Sequence, residues 1–148
     1  MDTISFKIIE KNNITDILPL LSQLNKRTPA ETLKERVLEM AEQNYECAGM
    51  YHKDELIGIC GLWFVTRHYA GKSAEPDHVY IKEAYQSKGL GKTFFQYIEN
   101  YLKDNGIEAM ELNTYTENRK SHKFYYNLGM EIYGYHFLKI LRKDGKFY

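Results

Sequence analysis

A short loop with two glycines is the segment of this chain whose residues are most suited to bind a ligand. It reads Gln86-Ser87-Lys88-Gly89-Leu90-Gly91-Lys92. Apolar, β-prone residues precede it, and the residues after it are apolar at helical spacing, so it joins a strand to a helix. Two glycines at such a junction let the backbone turn tightly and direct its N–H groups outward at the positive end of the helix. The loop therefore predicts an anion site, most naturally a phosphate site.

Two common nucleotide-binding motifs do not account for this loop. A P-loop that ended at Thr93 would require glycine at the position of Gln86. A dinucleotide-binding motif that started at Gly89 would require its third glycine where Phe94 stands. The residues therefore disfavour a P-loop nucleotide hydrolase and a dinucleotide-dependent enzyme.

A third pattern fits the loop. Gln86, Gly89 and Gly91 satisfy the order Arg or Gln, any two residues, Gly, any residue, and Gly or Ala. This order resembles the pyrophosphate loop of the GCN5-related N-acetyltransferase (GNAT) superfamily, whose members use acetyl-coenzyme A. A glycine pair at a helix start is also common in ordinary tight turns, so the loop alone does not establish the family.

A second segment, residues 118–130, resembles the other signature of that superfamily, Asn-x-x-Ala/Ser-x-x-Phe/Leu-Tyr-x-x-x-Gly-Phe. The matching positions are Asn118, Ser121, Phe124, Tyr125 and Gly129, and the departure is Met130 in place of phenylalanine. The segment follows the glycine loop in the expected order, with a helix and a strand between them. Two motifs in this order are much rarer by chance than either one alone. The chain is therefore identified as a member of this superfamily.

The resemblance implies where the coenzyme binds. Main-chain groups of Val79, Tyr80 and Ile81 would pair with the pantetheine arm and polarise the acetyl oxygen. The pyrophosphate would be held by the loop, with the binding positions Gln86, Ser87, Lys88, Gly89, Leu90, Gly91 and Lys92. Asn118 and Ser121 would contribute further along the chain, and no metal is implied.

The resemblance also implies the two residues that move protons. Tyr125 corresponds to the general acid, because a phenol of pKa about 10 can protonate a leaving thiolate. In a chain with 13 tyrosines, the plain alternative is a packing residue. The base is expected to be Glu75, acting directly or through water, with Asp77, His78 or a water chain as alternatives. Strand alternation predicts Glu75, Asp77, Val79 and Ile81 on one face and His78 and Tyr80 on the other.

Hydrophobic periodicity predicts the elements that position these residues. Strands are expected over residues 5–9, 45–51, 56–65, 75–81, 109–115 and 130–141, and helices over residues 14–24, 30–44, 90–105 and 118–127. Residues 75–115 form a strand–helix–strand crossover, so the two strands should be parallel. We therefore expect one α/β (α+β) domain over residues 1–148, a mixed β-sheet flanked by helices. By resemblance, its central parallel strands splay apart.

Local signals predict several helix ends. Pro19 should kink or interrupt the first helix. Thr28 should cap the second helix, with Pro29 in its first turn. Gly106 should end the helix that follows the glycine loop, and Asn118 should cap the next one.

Composition excludes several functional classes. The 148 residues include 20 basic and 20 acidic side chains, so no global charge attracts nucleic acid or an anionic membrane. No apolar run is long enough to span a bilayer. Cys47 and Cys60 lie in apolar contexts without metal-ligand spacing, which predicts buried thiols. A cytoplasmic protein fits best.

The expected function is transfer of acetyl from acetyl-coenzyme A to a primary amine of a small molecule, by direct attack. The alternatives are transfer to a protein amine and, from a different class, an acyl-coenzyme A sensor without turnover. The acceptor should lie against the first two helices, residues 63–69 and a C-terminal hairpin with Tyr133, Tyr135 and His136. Dimers are frequent in the superfamily, which allows a homodimer.

Overall fold

A computed structural model describes residues 3–148 and shows a curled five-stranded mixed sheet with four α-helices. The strands are β1 (Ile4–Ile8), β2 (Tyr45–His52), β3 (Glu55–Arg67), β4 (Gly71–Ile81) and β5 (Ala109–Met110). The helices are α1 (Leu18–Leu24), α2 (Ala30–Ala41), α3 (Leu90–Asp104) and α4 (Arg119–Asn127), with short 3-10 helices at Lys11–Ile17 and Glu83–Tyr85. One compact unit ends at Glu111 and contains the sheet; a second, Leu112–Tyr148, contains α4. These elements confirm the α+β class.

The sheet has the order β1-β2-β3-β4-β5, antiparallel up to β4 and parallel between β4 and β5. The parallel pairing confirms the predicted crossover through α3. The parallel ladder is short: its last pair is Ala74 with Met110, and the Glu111 N–H then donates to the Ala74 carbonyl at 3.0 Å. β4 continues to Ile81, and no β5 residue of the described sheet pairs with it there. The strand expected over residues 109–115 ends at Met110, because none of its later residues pairs with β4. The splay of the two strands beyond this point stays a prediction.

The first helices cover one face of the sheet. Their buried side chains are Ile14, Ile17, Leu20, Leu21, Leu33 and Val37, packed with Tyr45, Cys47 and Ile59 of the sheet. Burying a side chain of this size contributes about 1.5–3 kcal/mol to stability. This face therefore carries one continuous apolar cluster over β2 and β3.

Helix α3 packs on the opposite face. The Phe6 ring stacks on Phe94 at 5.6 Å and on Tyr97 at 5.4 Å, and Tyr101 donates to Glu46, whose neighbour Tyr45 points to the other face. Gly106, at a φ of 74°, ends the helix as predicted. Among the helices of residues 3–148, none combines the length and hydropathy needed to cross a lipid bilayer.

Two of the predicted helix ends have different outcomes. The segment before Leu24 is interrupted as expected, since a 3-10 helix leads into α1 and Pro19 lies in the first turn of α1. The predicted Thr28 cap is wrong. The Thr28 hydroxyl and N–H both donate to Asn25 Oδ1, at 3.1 and 3.3 Å, and Pro29 becomes the residue before α2. A hydroxyl directed at Asn25 does not accept from the first turn of α2.

The strand predicted over residues 130–141 is not present in the structure. This segment has no ladder, and Tyr133, Tyr135 and Phe137 are exposed. Alternating apolar residues show that a segment suits a strand, but a strand forms only when a neighbour completes its hydrogen bonds. Tyr133, Tyr135 and His136 therefore lie on irregular chain rather than on a hairpin.

Candidate active site

A β-bulge in β4 sets the directions of the side chains around Glu75. Asp77 pairs with Gly61 and Tyr80 with Ile59, so two residues of β4, His78 and Val79, face a single residue of β3. The extra residue shifts the alternation by one position. Tyr80 consequently lies on the same face as Glu75 and Asp77. The prediction that placed Tyr80 on the opposite face, and Ile81 on the face of Glu75, is wrong for this reason.

His78 also lies on the Asp77 face. Its ring occupies the space where a Cβ atom on Gly61 would stand. Cross-strand partners share a face, so this space is on the side to which Asp77 points. The placement of His78 on the other face is therefore corrected as well, because the bulge directs two successive side chains to one side.

Four side chains on this face are joined by close polar contacts. Asp77 Oδ2 accepts from Trp63 Nε1 at 3.1 Å and lies 3.4 Å from His78 Nδ1, while Asp77 Oδ1 accepts the His78 backbone N–H at 2.8 Å. His78 Nε2 lies 2.7 Å from the Tyr45 hydroxyl. The hydrogen bond from His78, with the Trp63 donor added, lowers the pKa of Asp77 to about 2 although burial acts in the opposite direction.

These contacts distinguish among the expected bases. Asp77 is a weak proton acceptor at neutral pH because its pKa is low. Both ring nitrogens of His78 are engaged, and its side chain is only 8% exposed. Glu75 lies on the same face with 30% of its side chain exposed and with Arg67 Nη2 at 4.0 Å. The contacts of Asp77 and His78 therefore disfavour both residues as the base, and Glu75 stays the predicted base.

Arg67 links Glu75 to a second carboxylate. Arg67 Nε lies 3.8 Å from Glu111 Oε2, and the Tyr69 hydroxyl donates to Glu111 Oε1 at 2.7 Å. One guanidinium between two carboxylates leaves this group with a net negative charge. Such a surface favours a positively charged ligand.

The loop before α3 has the backbone of an anion site. Ser87 and Gly89 adopt left-handed conformations, with φ of 58° and 77°. Gln86 Nε2 donates to the Ile81 carbonyl at 2.7 Å, which fastens the loop to the end of β4. Helix α3 begins at Leu90 with no side chain capping its first turn. Its first N–H groups are therefore available to an anion, which fits a pyrophosphate.

An open groove borders this loop. It has a volume of about 500 Å³ and is lined by Ile4, His52, Ala84, Tyr85, Lys88 and Leu90. The Lys88 ammonium lies 5.8 Å from the centroid of the Tyr85 ring, and the Tyr85 hydroxyl lies 2.8 Å from His52 Nδ1. The groove thus adds a positive charge and an aromatic ring beside the loop.

The C-terminal unit holds the second set of expected residues. Asn118 Oδ1 accepts the Ser121 N–H at 3.2 Å, so the predicted cap of α4 is confirmed. Tyr125 is half-buried, with its ring 5.3 Å from that of Phe124, whereas Tyr126 is exposed. Gly129, at a φ of 86°, follows the helix. Asn118 and Ser121 therefore stand at the start of α4, and Tyr125 in its second turn.

The two thiols are buried, and burial raises the pKa of each. Both cysteines are free, and burial raises the pKa of Cys47 to about 12 and that of Cys60 well above its ordinary value. A thiol with so high a pKa carries almost no thiolate at neutral pH. Among residues 3–148, no group of three or more metal-ligating side chains could hold a metal ion.

Tyr45 is not singled out by the sequence, which predicts it only as part of a strand. Its contact with His78 spans residues far apart in the chain, so no local pattern shows it. The available signal was Gly61, because a glycine inside a strand often marks the close approach of another group.

A model of the acetyltransferase (GNAT) family matches residues 15–130 of the chain. The match covers well over half of the sequence and both motifs around α3 and α4. The chain therefore belongs to the acetyltransferase (GNAT) family.

Three proteins are similar to this chain, one in sequence and two in fold. Over 57 residues the chain is 32% identical to tyramine N-feruloyltransferase 4/11 of Nicotiana tabacum, a match that spans 38% of this chain and only 25% of the tobacco protein. The structure of AAC(6')-Iy with the bisubstrate analog CoA-S-monomethyl-acetylneamine has a TM-score of 0.81 at 14% identity and covers 95% of this chain and 99% of that one. Ribosomal-protein-alanine N-acetyltransferase of Brucella melitensis biovar Abortus 2308 has a TM-score of 0.78 at 13% identity, covering 93% and 99%.

Proposed function

We propose that this protein transfers acetyl from acetyl-coenzyme A to a primary amine of a small molecule, which attacks directly. The start of α3 is the observation that carries the proposal. Two left-handed residues, Ser87 and Gly89, precede a first turn that no side chain caps. A pyrophosphate is the anion that suits such a site in a family of acetyltransferases.

Coenzyme binding is assigned mainly to the main chain. N–H groups from Ser87 to Lys92 would bind the pyrophosphate, and Asn118 and Ser121 would contribute from α4. The edge of β4 beyond the β5 ladder would pair with the pantetheine arm through Val79, Tyr80 and Ile81. The bound coenzyme supplies an acetyl group activated as a thioester.

Two side chains are assigned the proton transfers. Glu75 would take the proton from the acceptor ammonium, directly or through water. Tyr125 would give its phenolic proton to the departing sulfur. Because the amine attacks directly, neither buried cysteine takes part.

The charges around Glu75 support a cationic small amine as the acceptor. Glu75 and Glu111 share Arg67, and the aromatic rings of Trp63 and Tyr69 are nearby. Negative charge beside aromatic rings attracts a protonated amine with an apolar stem. The tobacco protein is named for tyramine and AAC(6')-Iy is named an aminoglycoside N-acetyltransferase, whereas the Brucella neighbour is named for a protein acceptor.

A cytoplasmic location and a homodimer belong to the same proposal. Cys47 and Cys60 are free thiols, which suits a reducing compartment. The homodimer is proposed only because dimers are frequent in the family.

A screen of amines tests the proposed function. Thiol released from acetyl-coenzyme A would be measured with aminoglycosides, polyamines, aromatic amines such as tyramine, amino acids and peptides. We expect release above the background rate with at least one small amine, and none with the Gly89→Val variant. Release with peptides alone would favour a protein acceptor. Tight binding in calorimetry without turnover on any amine would favour the sensor.

A further inference from the structure

We infer that Trp63, Asp77, His78 and Tyr45 form a polar clamp that fixes the β4 bulge and so positions the main chain of the residues after it. We call these four side chains the bulge clamp. None of them is assigned a proton transfer in the proposed reaction, so their role in the clamp is that of positioning residues. The inference rests on the proposed function, because the main chain from Val79 to Ile81 is assigned to the acetyl arm.

Asp77 fastens the bulge to β3. Its Oδ1 atom accepts the backbone N–H of His78, the first residue of the bulge, at 2.8 Å. Its Oδ2 atom accepts from Trp63 Nε1 at 3.1 Å, and Trp63 belongs to β3. A bulge interrupts the regular ladder, so its backbone needs hydrogen bonds from elsewhere to have a defined geometry. The Asp77 carboxylate provides this link.

Tyr45 extends the clamp to β2. Asp77 Oδ2 lies 3.4 Å from His78 Nδ1, which favours a proton on Nδ1 and leaves Nε2 as an acceptor. The Tyr45 hydroxyl, 2.7 Å from Nε2, is then the donor. Burial raises the pKa of Tyr45 above its ordinary value, so the hydroxyl keeps its proton. The Tyr45 ring also packs on Trp63 at 5.0 Å and on His78 at 5.7 Å.

Gly61 completes the arrangement by its lack of a side chain. A Cβ atom at this position would overlap the His78 imidazole. The ring can therefore lie across β3 only while residue 61 is glycine. Three strands thus meet at one histidine, with Tyr45 from β2, Gly61 from β3 and His78 from β4.

The kinetic test compares two Tyr→Phe variants that lose the same chemical group. Tyr45→Phe keeps the ring packing and removes the donor to His78. Tyr101→Phe removes a hydroxyl that donates to Glu46 at 2.6 Å on the opposite face of the sheet. We expect kcat for thiol release to fall roughly 10- to 100-fold in Tyr45→Phe, because a small displacement of positioning groups is sufficient for such a loss. We expect Tyr101→Phe to keep kcat, and both to bind acetyl-coenzyme A normally.

A spectroscopic test measures the tautomer of His78 and does not depend on turnover. In nitrogen-15 NMR, wild-type His78, identified by the signal missing from His78→Asn, should be the Nδ1–H tautomer. Tyr45→Phe should change that signal, and Tyr101→Phe should leave it unchanged. If Tyr45→Phe fails to fold, Trp63→Phe breaks the other end of the clamp and should lower kcat similarly.

The outcomes separate the clamp from the proposed function. An Nε2–H tautomer in the wild type would overturn the clamp. Equal kcat in the wild type and Tyr45→Phe would overturn its positioning role. Absence of turnover in the wild type would instead contradict the proposed function, and the tautomer would still decide whether the clamp exists.

Discussion

Tyr125 and Glu75 have opposite tasks in the proposed transfer, since one gives a proton and the other takes one. They should therefore respond differently to substitution and to pH. Their surroundings also differ: Tyr125 lies half-buried on α4, and Glu75 lies on β4 near Arg67.

Removing the hydroxyl of Tyr125 should affect turnover and not coenzyme binding. Tyr125→Phe keeps the ring and removes the proton donor, so we expect kcat to fall by roughly 10²–10⁴-fold. Raising the pH should not restore activity, because alkali does not supply an acid. The exposed neighbour gives the control, Tyr126→Phe, which should behave as the wild type. Equal rates in both variants would show that Tyr125 is only a packing residue.

Removing the charge of Glu75 should produce a defect that alkaline pH relieves. An amine of pKa about 10 is almost entirely protonated at neutral pH, so Glu75→Gln leaves the ammonium without its base. As pH rises, free amine accumulates and the activity of Glu75→Gln should approach that of the wild type. The measurement is kcat/KM against pH with one amine. If Glu75→Gln keeps the pH profile of the wild type, Glu75 is not the base. A water chain would then be the better candidate, since Asp77 and His78 are engaged with each other.

At the scale of elements, α3 and its loop were predictable because their signals are local. The helical spacing of apolar residues and the two glycines lie within one short segment. The β4 bulge was not predictable from β4 alone, because its cause lies in the pairing with β3 and in the space left by Gly61. The strand expected over residues 109–115 is shortened to Ala109–Met110 and the one expected over residues 130–141 is absent for a related reason, since a ladder depends on two segments.

Substituting the glycine before α3 should strongly weaken coenzyme binding and leave the fold intact. Gly89 and Gly106 stand at the two ends of α3 with φ of 77° and 74°, and a Cβ atom on either would meet nothing within 4 Å. Valine at either position should therefore destabilise the protein similarly, by about 1–2 kcal/mol. Only Gly89→Val should weaken acetyl-coenzyme A binding in calorimetry. Equal affinity in the two variants would show that this loop does not bind the pyrophosphate.

For the whole molecule, the low pKa of Asp77 links folding to acidity. Its pKa is about 2 in the folded protein and 3.8 ordinarily, so the folded state favours the ionised carboxylate. The resulting stability is present above pH 4 and is lost as pH falls toward 2. Denaturant unfolding should show wild type more stable than Asp77→Asn at neutral pH, with a difference that shrinks below pH 4. A difference independent of pH would mean that the Asp77 charge does not stabilise the fold.

Because no side chain caps the first turn of α3, a bound ligand would take the place of a helix cap. An anion at this turn accepts hydrogen bonds from backbone N–H groups that no capping side chain occupies. Whatever binds only the native state raises the melting temperature in proportion to the logarithm of its concentration above its Kd. The melting temperature of this protein should therefore rise with the concentration of acetyl-coenzyme A. A side chain that capped the first turn of α3 would raise the stability of the protein without ligand. It would also weaken binding of the anion, because the cap and the anion would compete for the same N–H groups.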